Sequence, residues 1–197
     1  MIQLSTREVE KIAAHVFNVP DADKLALRAR LENLRKKGCP RGLATGRGKV
    51  AKFDFEQLAD VTIALALIDA GLSPDYAVSA VEDTDGVVRE CFGFLAHHHV
   101  SLDELRVAVD EGEWPVGRTA TAWCCMHRLL STPRDLGVRV ATWIASDCIG
   151  DQQPTDLPFS AVRIDVGVLF VRLVKAMSHV AGFDVVELAE RLLAEAG

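Results

Sequence analysis

Apolar residues recur at helical spacing through the first third of the chain. Val9, Ile12, Ala13 and Val16 repeat every three or four positions behind Ser5-Thr6-Arg7-Glu8. This spacing predicts a helix over about Thr6–Val16. The preceding S-x-x-E is the form of a capping box, in which two side chains satisfy two orphan amides. Asn18-Val19-Pro20-Asp21 reads as a turn. A second helix is expected over about Ala22–Lys37. Its Leu27, Leu31 and Leu34 share one narrow buried stripe. Gly38 stops it in the left-handed region and Pro40 prevents resumption. The opposite face carries Leu25, Ala26, Ala29, Glu32, Asn33 and Lys36. Arg28 and Arg35 flank that face on one side, Arg30 and Lys37 on the other.

The pattern then changes. Arg41 to Phe53 combines glycines and basic residues and ends in β-prone positions, which predicts a hairpin of strand, flexible basic tip and strand. Leu58, Val61, Leu65 and Ile68 mark a third helix that Gly71 ends. Ser73-Pro74 caps a short fourth helix, about Pro74–Glu82. Farther on, Val87–His98 reads as a helix, and Ser101-Leu102-Asp103-Glu104 opens another to about Val109. Glu111–Gly117 is a break. Thr119–Met126 and Val138–Ser146 are strand-like in composition, and Gly150–Pro158 is a loop. Val162–Asp165 alternates as a strand. The positions from Val166 to Met177 fit a helix, with a longer strand to Val171 as the alternative. Val185–Ala196 is expected to be a C-terminal helix.

With 49% apolar and 25% charged residues, a chain of 197 can bury a core. Its net charge of −6 hides a split. Residues 1–52 hold 12 Lys and Arg against 5 Asp and Glu, a net of +7. Residues 53–197 hold 10 against 23, a net of −13. Between Lys24 and Lys52 there are ten basic residues and one acidic residue, Glu32. A basic head on an acidic body points to a nucleic-acid module fused to a part that avoids DNA. The longest stretch free of Asp, Glu, Lys and Arg is Cys91–Leu102, 12 residues, too short to span a bilayer. No apolar region precedes Arg7 and Glu8, so no secretory signal is expected. Five cysteines without CxxC spacing suit a reduced, cytoplasmic protein.

A solvated basic face is the ordinary meaning of a charge run. Here the charge is organised on both edges of a helix and at a glycine-rich tip. That layout suits a helix in the major groove with a wing along the neighbouring backbone. Ala26 and Ala29 can approach thymine methyls, and Asn33 can bridge adenine N6 and N7. The candidate DNA-binding residues are Thr6, Arg7, Lys24, Ala26, Arg28, Ala29, Arg30, Asn33, Arg35, Lys36, Arg41, Thr45, Arg47, Lys49 and Lys52.

The order of these elements resembles the MerR-type winged-helix domain. The resemblance rests on Arg28-Ala29-Arg30-Leu31 through Gly38-Cys39-Pro40, on Gly46-Arg47-Gly48-Lys49-Val50-Ala51-Lys52-Phe53, and on Ala64 through Gly71-Leu72-Ser73-Pro74. It covers residues 1 to about 82. It implies cytoplasmic DNA binding, usually as a dimer, usually to control transcription. Two departures are visible: Ala29 and Arg30 stand where many members carry an aromatic pair, and no long heptad helix follows.

Other chemistry is thin. His97-His98-His99 cannot converge on one metal, since successive helical residues point about 100° apart. Cys124, Cys125, His127 and Cys148 read first as buried positions. Cys39-Pro40 reads as the turn after the second helix rather than a haem dipeptide. Trp114, Trp123 and Trp143 suit a core or an interface better than a ligand pocket. No P-loop, GxSxG, HExxH or GxGxxG is present, so neither an enzyme nor a cofactor or metal is expected.

The expected fold is α+β and mostly helical. Residues 1–82 would be a MerR-like winged helix-turn-helix, and residues 83–197 a smaller acidic α+β domain for dimerisation or signal reception. The expected function is a sequence-specific double-stranded DNA-binding regulator of transcription. The expected partners are duplex DNA and a second copy of the chain, with RNA polymerase a further candidate and no membrane. Two rivals stand beside it: an architectural or recombination-directionality factor, and a protein-interaction adaptor on the transcription machinery.

Overall fold

A computed structural model describes residues 2–43, 50–83, 102–111, 119–125, 139–145, 161–185 and 187–188. The chain is α+β and mostly helical. In order it runs β1 (Leu4–Ser5), α1 (Thr6–Val16), a 3-10 turn (Asp21–Asp23), α2 (Lys24–Lys36), β2 (Lys52–Phe53), α3 (Phe55–Asp69) and α4 (Pro74–Asp83). Then follow α5 (Leu102–Glu111), β3 (Thr119–Cys125), β4 (Arg139–Ala145), β5 (Ala161–Asp165) and α6 (Val166–Ala181).

The start of α1 is closed by the expected capping box. The Glu8 amide donates to the Ser5 hydroxyl oxygen at 3.3 Å, and the Ser5 amide donates to Glu8 Oε2 at 2.7 Å. The Ser5 hydroxyl donates to the same carboxylate oxygen at 2.6 Å. These bonds hold the Glu8 carboxyl below the usual carboxylate range. A second capping box opens α3. The Gln57 amide donates to Asp54 Oδ1 at 2.8 Å and the Asp54 amide to Gln57 Oε1 at 3.2 Å. Both motifs remove orphan donors that a helix start would otherwise leave.

Leu27, Leu31 and Leu34 are the buried residues of α2, and the helix packs against α1, α3 and α4. Gly38, at a φ of +91°, turns the chain out of the helix. Its amide donates to the Arg35 carbonyl, and the Cys39 amide to the Leu34 carbonyl. α3 is buried nearly all round, because α2, α4, β2 and β5 surround it.

In the C-terminal half, β3 lies between β4 and β5 in an antiparallel sheet of order β4-β3-β5. Trp123 stands opposite Ala141 and Arg163. α6 starts directly after β5. The Asp165 carboxylate accepts the Val168 amide at 3.0 Å, a cap that ends the strand at 165 and excludes its extension to Val171. α6 then packs against α1. Val9, Ile12, Ala13 and Val16 belong to one buried cluster with Val171, Leu173, Val174 and Met177. This contact crosses the boundary expected at residue 82.

Of the expected hairpin only the ends are described, since residues 44–49 lie outside the described residues. Arg41 and Gly42 form a turn, and the Arg41 carbonyl accepts from Gln57 Nε2 at 3.0 Å. The return strand β2 pairs with β1, with Leu4 opposite Phe53 and Ser5 opposite Lys52. The signal was a matched alternation. Ile2 and Leu4 are buried around exposed Gln3, and Ala51 and Phe53 around exposed Lys52. α2 begins at Lys24, two residues later than expected, because the 3-10 turn takes Asp21–Asp23. The helix expected over 87–98, the break over 112–117, the loop over 150–158 and most of the C-terminal helix lie outside the described residues.

Two outcomes follow from this packing. Leu34 is 1% exposed, so Leu34→Ala should cost about 2–5 kcal/mol of unfolding free energy. Urea denaturation measures this, and a loss below about 1 kcal/mol would contradict the packing. The second concerns acid. The His15 and His179 rings stack across α1 and α6 at 5.2 Å between centroids. Partial burial, together with the charges of His179 and Lys175, lowers the His15 pKa from its ordinary 6.5. The unfolded chain therefore takes up a proton near 6.5 that the folded chain still refuses. This contribution is complete at neutral pH and is lost as the pH falls through that value. His15→Gln should lose less stability than wild type between about pH 7.5 and 5.5. Equal losses would contradict the assignment.

Candidate nucleic-acid interface

Burial of the three leucines turns the rest of α2 outward. Lys24, Leu25, Ala26, Arg28, Ala29, Arg30, Glu32, Arg35 and Lys36 are all exposed, and Asn33 is half-buried. At 100° per residue, Leu25, Ala29, Glu32, Asn33 and Lys36 lie within about 60° of the outward direction. Arg28 and Arg35 line one edge, and Ala26, Arg30 and Lys37 the other. Apart from Lys24, which lies toward the leucine side, the candidates on α2 fall on the outward side and its two edges.

Some of its charges are engaged. Lys24 Nζ meets Asp21 Oδ1 at 2.6 Å, and Arg28 Nε meets Glu32 Oε1 at 3.5 Å. Such exposed pairs are worth about 0–1 kcal/mol and yield readily to a stronger anion. Lys37 is paired with Asp75 on α4, which ties the end of α2 to the core side. Among the described residues no acidic side chain pairs with Arg30, Arg35 or Lys36. These three cations stand exposed on α2 with no described counter-charge.

The second group lies at the first strand pair. Lys52 stands across from Ser5, directly before Thr6 and Arg7 in the first turn of α1. Arg7 and Lys52 are exposed, and Thr6 is half-buried. Arg41 has a different place. Its guanidinium donates to the Glu82 carbonyl at the end of α4, where helix carbonyls lack intrahelical partners. With Gln57 on its carbonyl, Arg41 anchors the base of the basic loop. Thr45, Arg47 and Lys49 lie outside the described residues.

Leu25 is the residue that sequence reasoning placed on this face and then passed over. It is 79% exposed, one of few large apolar side chains left in water. Its signal was the same spacing that buries Leu27, since Leu25 falls opposite the leucine stripe.

The remaining candidate chemistry does not gather. Cys39 is buried, and burial, followed by the nearby Asp60 and Glu82 carboxylates, pushes its thiol up to about 12, so it is a poor nucleophile. Trp123, Cys124 and Cys125 fall in β3 and Trp143 in β4. His97–His99, Trp114, His127 and Cys148 lie outside the described residues. Among the described residues no three His, Cys, Asp or Glu side chains are grouped to hold a metal ion. None of the described helices is long and apolar enough to cross a membrane. No protein-family model matches the chain, and neither a curated protein nor a solved structure matches it.

Proposed function

We propose that the protein is a sequence-specific double-stranded DNA-binding regulator of transcription. α2 enters the major groove, and the basic loop from Arg41 to Lys52 lies along the phosphate backbone as a MerR-like wing. One observation carries this reading. The leucine stripe points α2 so that Arg28 and Arg35 on one edge and Arg30 on the other frame a central strip of Leu25, Ala29, Glu32, Asn33 and Lys36, with Ala26 beside Arg30. Cations at the rim suit phosphates, and small, apolar or amide groups at the centre suit base edges.

The second group supports the same reading. Arg7 in the first turn of α1 and Lys52 in β2, brought near each other by the β1–β2 pair, add further basic charge. The acidic remainder of the chain repels phosphate and so restricts contact to the basic face. The reading carries with it a cytoplasmic protein, a homodimer and contact with RNA polymerase as the downstream partner. Residues 83–197 would supply the dimer or the signal.

Arg35→Ala and Asn33→Ala separate the two kinds of contact. Binding is followed by fluorescence anisotropy on duplexes selected from a random library. Arg35→Ala should weaken every duplex similarly and flatten the log–log salt dependence by about one unit. Asn33→Ala should change which sequences are selected. If Asn33→Ala leaves affinity and preference intact, α2 does not face the bases in this orientation.

A further inference from the structure

Glu32 is the anomaly of the basic segment. It is the one acidic residue between Lys24 and Lys52. It does not sit at the rim, where a carboxylate would only trim the local charge. It lies about 20° from Leu25 around the helix axis, among the outermost positions of α2. Its side chain is 55% exposed. On a face that meets phosphates, a carboxylate there opposes binding to every sequence.

The chemistry of a carboxylate limits what could offset that opposition. Ionised Glu only accepts hydrogen bonds. In the major groove guanine offers N7 and O6, both acceptors, and thymine offers the O4 acceptor and a methyl group. Adenine offers its N6 donor beside the N7 acceptor, whose lone pair repels an anion. Cytosine N4 is a donor on a base that presents no acceptor of its own there. Arg28 stands one turn before Glu32 and holds Oε1 through Nε at 3.5 Å. This contact braces a long side chain without consuming the donors on the two terminal amines of the guanidinium.

We infer that Glu32, braced by Arg28, is a specificity-determining residue that accepts a hydrogen bond from cytosine N4 in the major groove. The inference rests on the DNA-binding reading of α2. Its physical content is discrimination by penalty. Against guanine or thymine the carboxylate meets acceptors or a methyl group, and against adenine a donor flanked by a repelling acceptor, so its base-facing oxygen is left poorly satisfied. Glu32 thereby weakens binding to random DNA and sharpens the contrast with a matching site.

The test is selection from a randomised duplex library with wild type, Glu32→Gln and Glu32→Ala, with anisotropy on random duplex in parallel. Wild type should select cytosine at one position. Glu32→Gln should move that position toward adenine, because an amide can serve N6 and N7 together. Glu32→Ala should lose preference at that position alone. Both variants should bind random duplex several-fold more tightly than wild type at low salt, since a like charge has left the face. Thermal melting of each variant, expected near wild type for an exposed site, guards against a folding artefact. Unchanged selection by both variants would overturn the role of Glu32 while leaving DNA binding in place. Failure of wild type and both variants to bind any duplex at low salt would overturn both.

Discussion

Leu27, Leu31 and Leu34 fix the rotation of α2 about its own axis. Three apolar side chains on one stripe are removed from water only if that stripe faces α1, α3 and α4. Once it does, no freedom remains in where the basic side chains go. Arg28 and Arg35 must emerge on one edge, Arg30 on the other, and Leu25 and Ala29 between them. The position of the basic face is therefore a consequence of the core. Lys37, turned to Asp75, marks where the exposed face ends and the packed side begins.

The basic loop depends on a second set of restraints at its two ends. At its start, Gln57 holds the Arg41 carbonyl while the Arg41 guanidinium reaches the end of α4. At its end, β2 pairs with β1, which in turn caps α1 through Ser5. Arg41 and Lys52, the described residues near either end of that segment, are thus tied to α4 and α3 and to β1. α1 also packs against α6, with His15 stacked on His179. The charged N-terminal elements and the C-terminal part of the chain consequently share a core.

Much of this was legible in residue spacing. Ser5 and Glu8 announced the start of α1. The leucines announced the buried side of α2, and Ser73-Pro74 announced α4. These are local signals, each carried by residues within a turn or two of one another. What escaped was non-local. The alternations at β1 and β2 span only three residues each, too short to stand out from chance, and their pairing joins positions nearly fifty residues apart. Arg41 looked like every other arginine in the basic segment, because its partner is a main-chain carbonyl on a distant helix. The choice of helix over strand after Val166 was open from the apolar pattern, and one side-chain cap at Asp165 decides it. For the site, the candidates on α2 other than Lys24 fall on the outward side and its edges because one helix carries them. Thr6 and Arg7 lie near Lys52 because the strand pair sets Ser5 opposite Lys52.

The account stands most directly on the affinity of the whole protein for random duplex DNA between about 50 and 200 mM salt, followed by fluorescence anisotropy. An exposed basic face that releases counterions from phosphates should bind at micromolar concentrations or tighter at the lower salt. That affinity should then fall by at least about tenfold at the higher salt. Absence of binding at the lower salt, or binding indifferent to salt, would contradict it and assign the basic face to a protein partner.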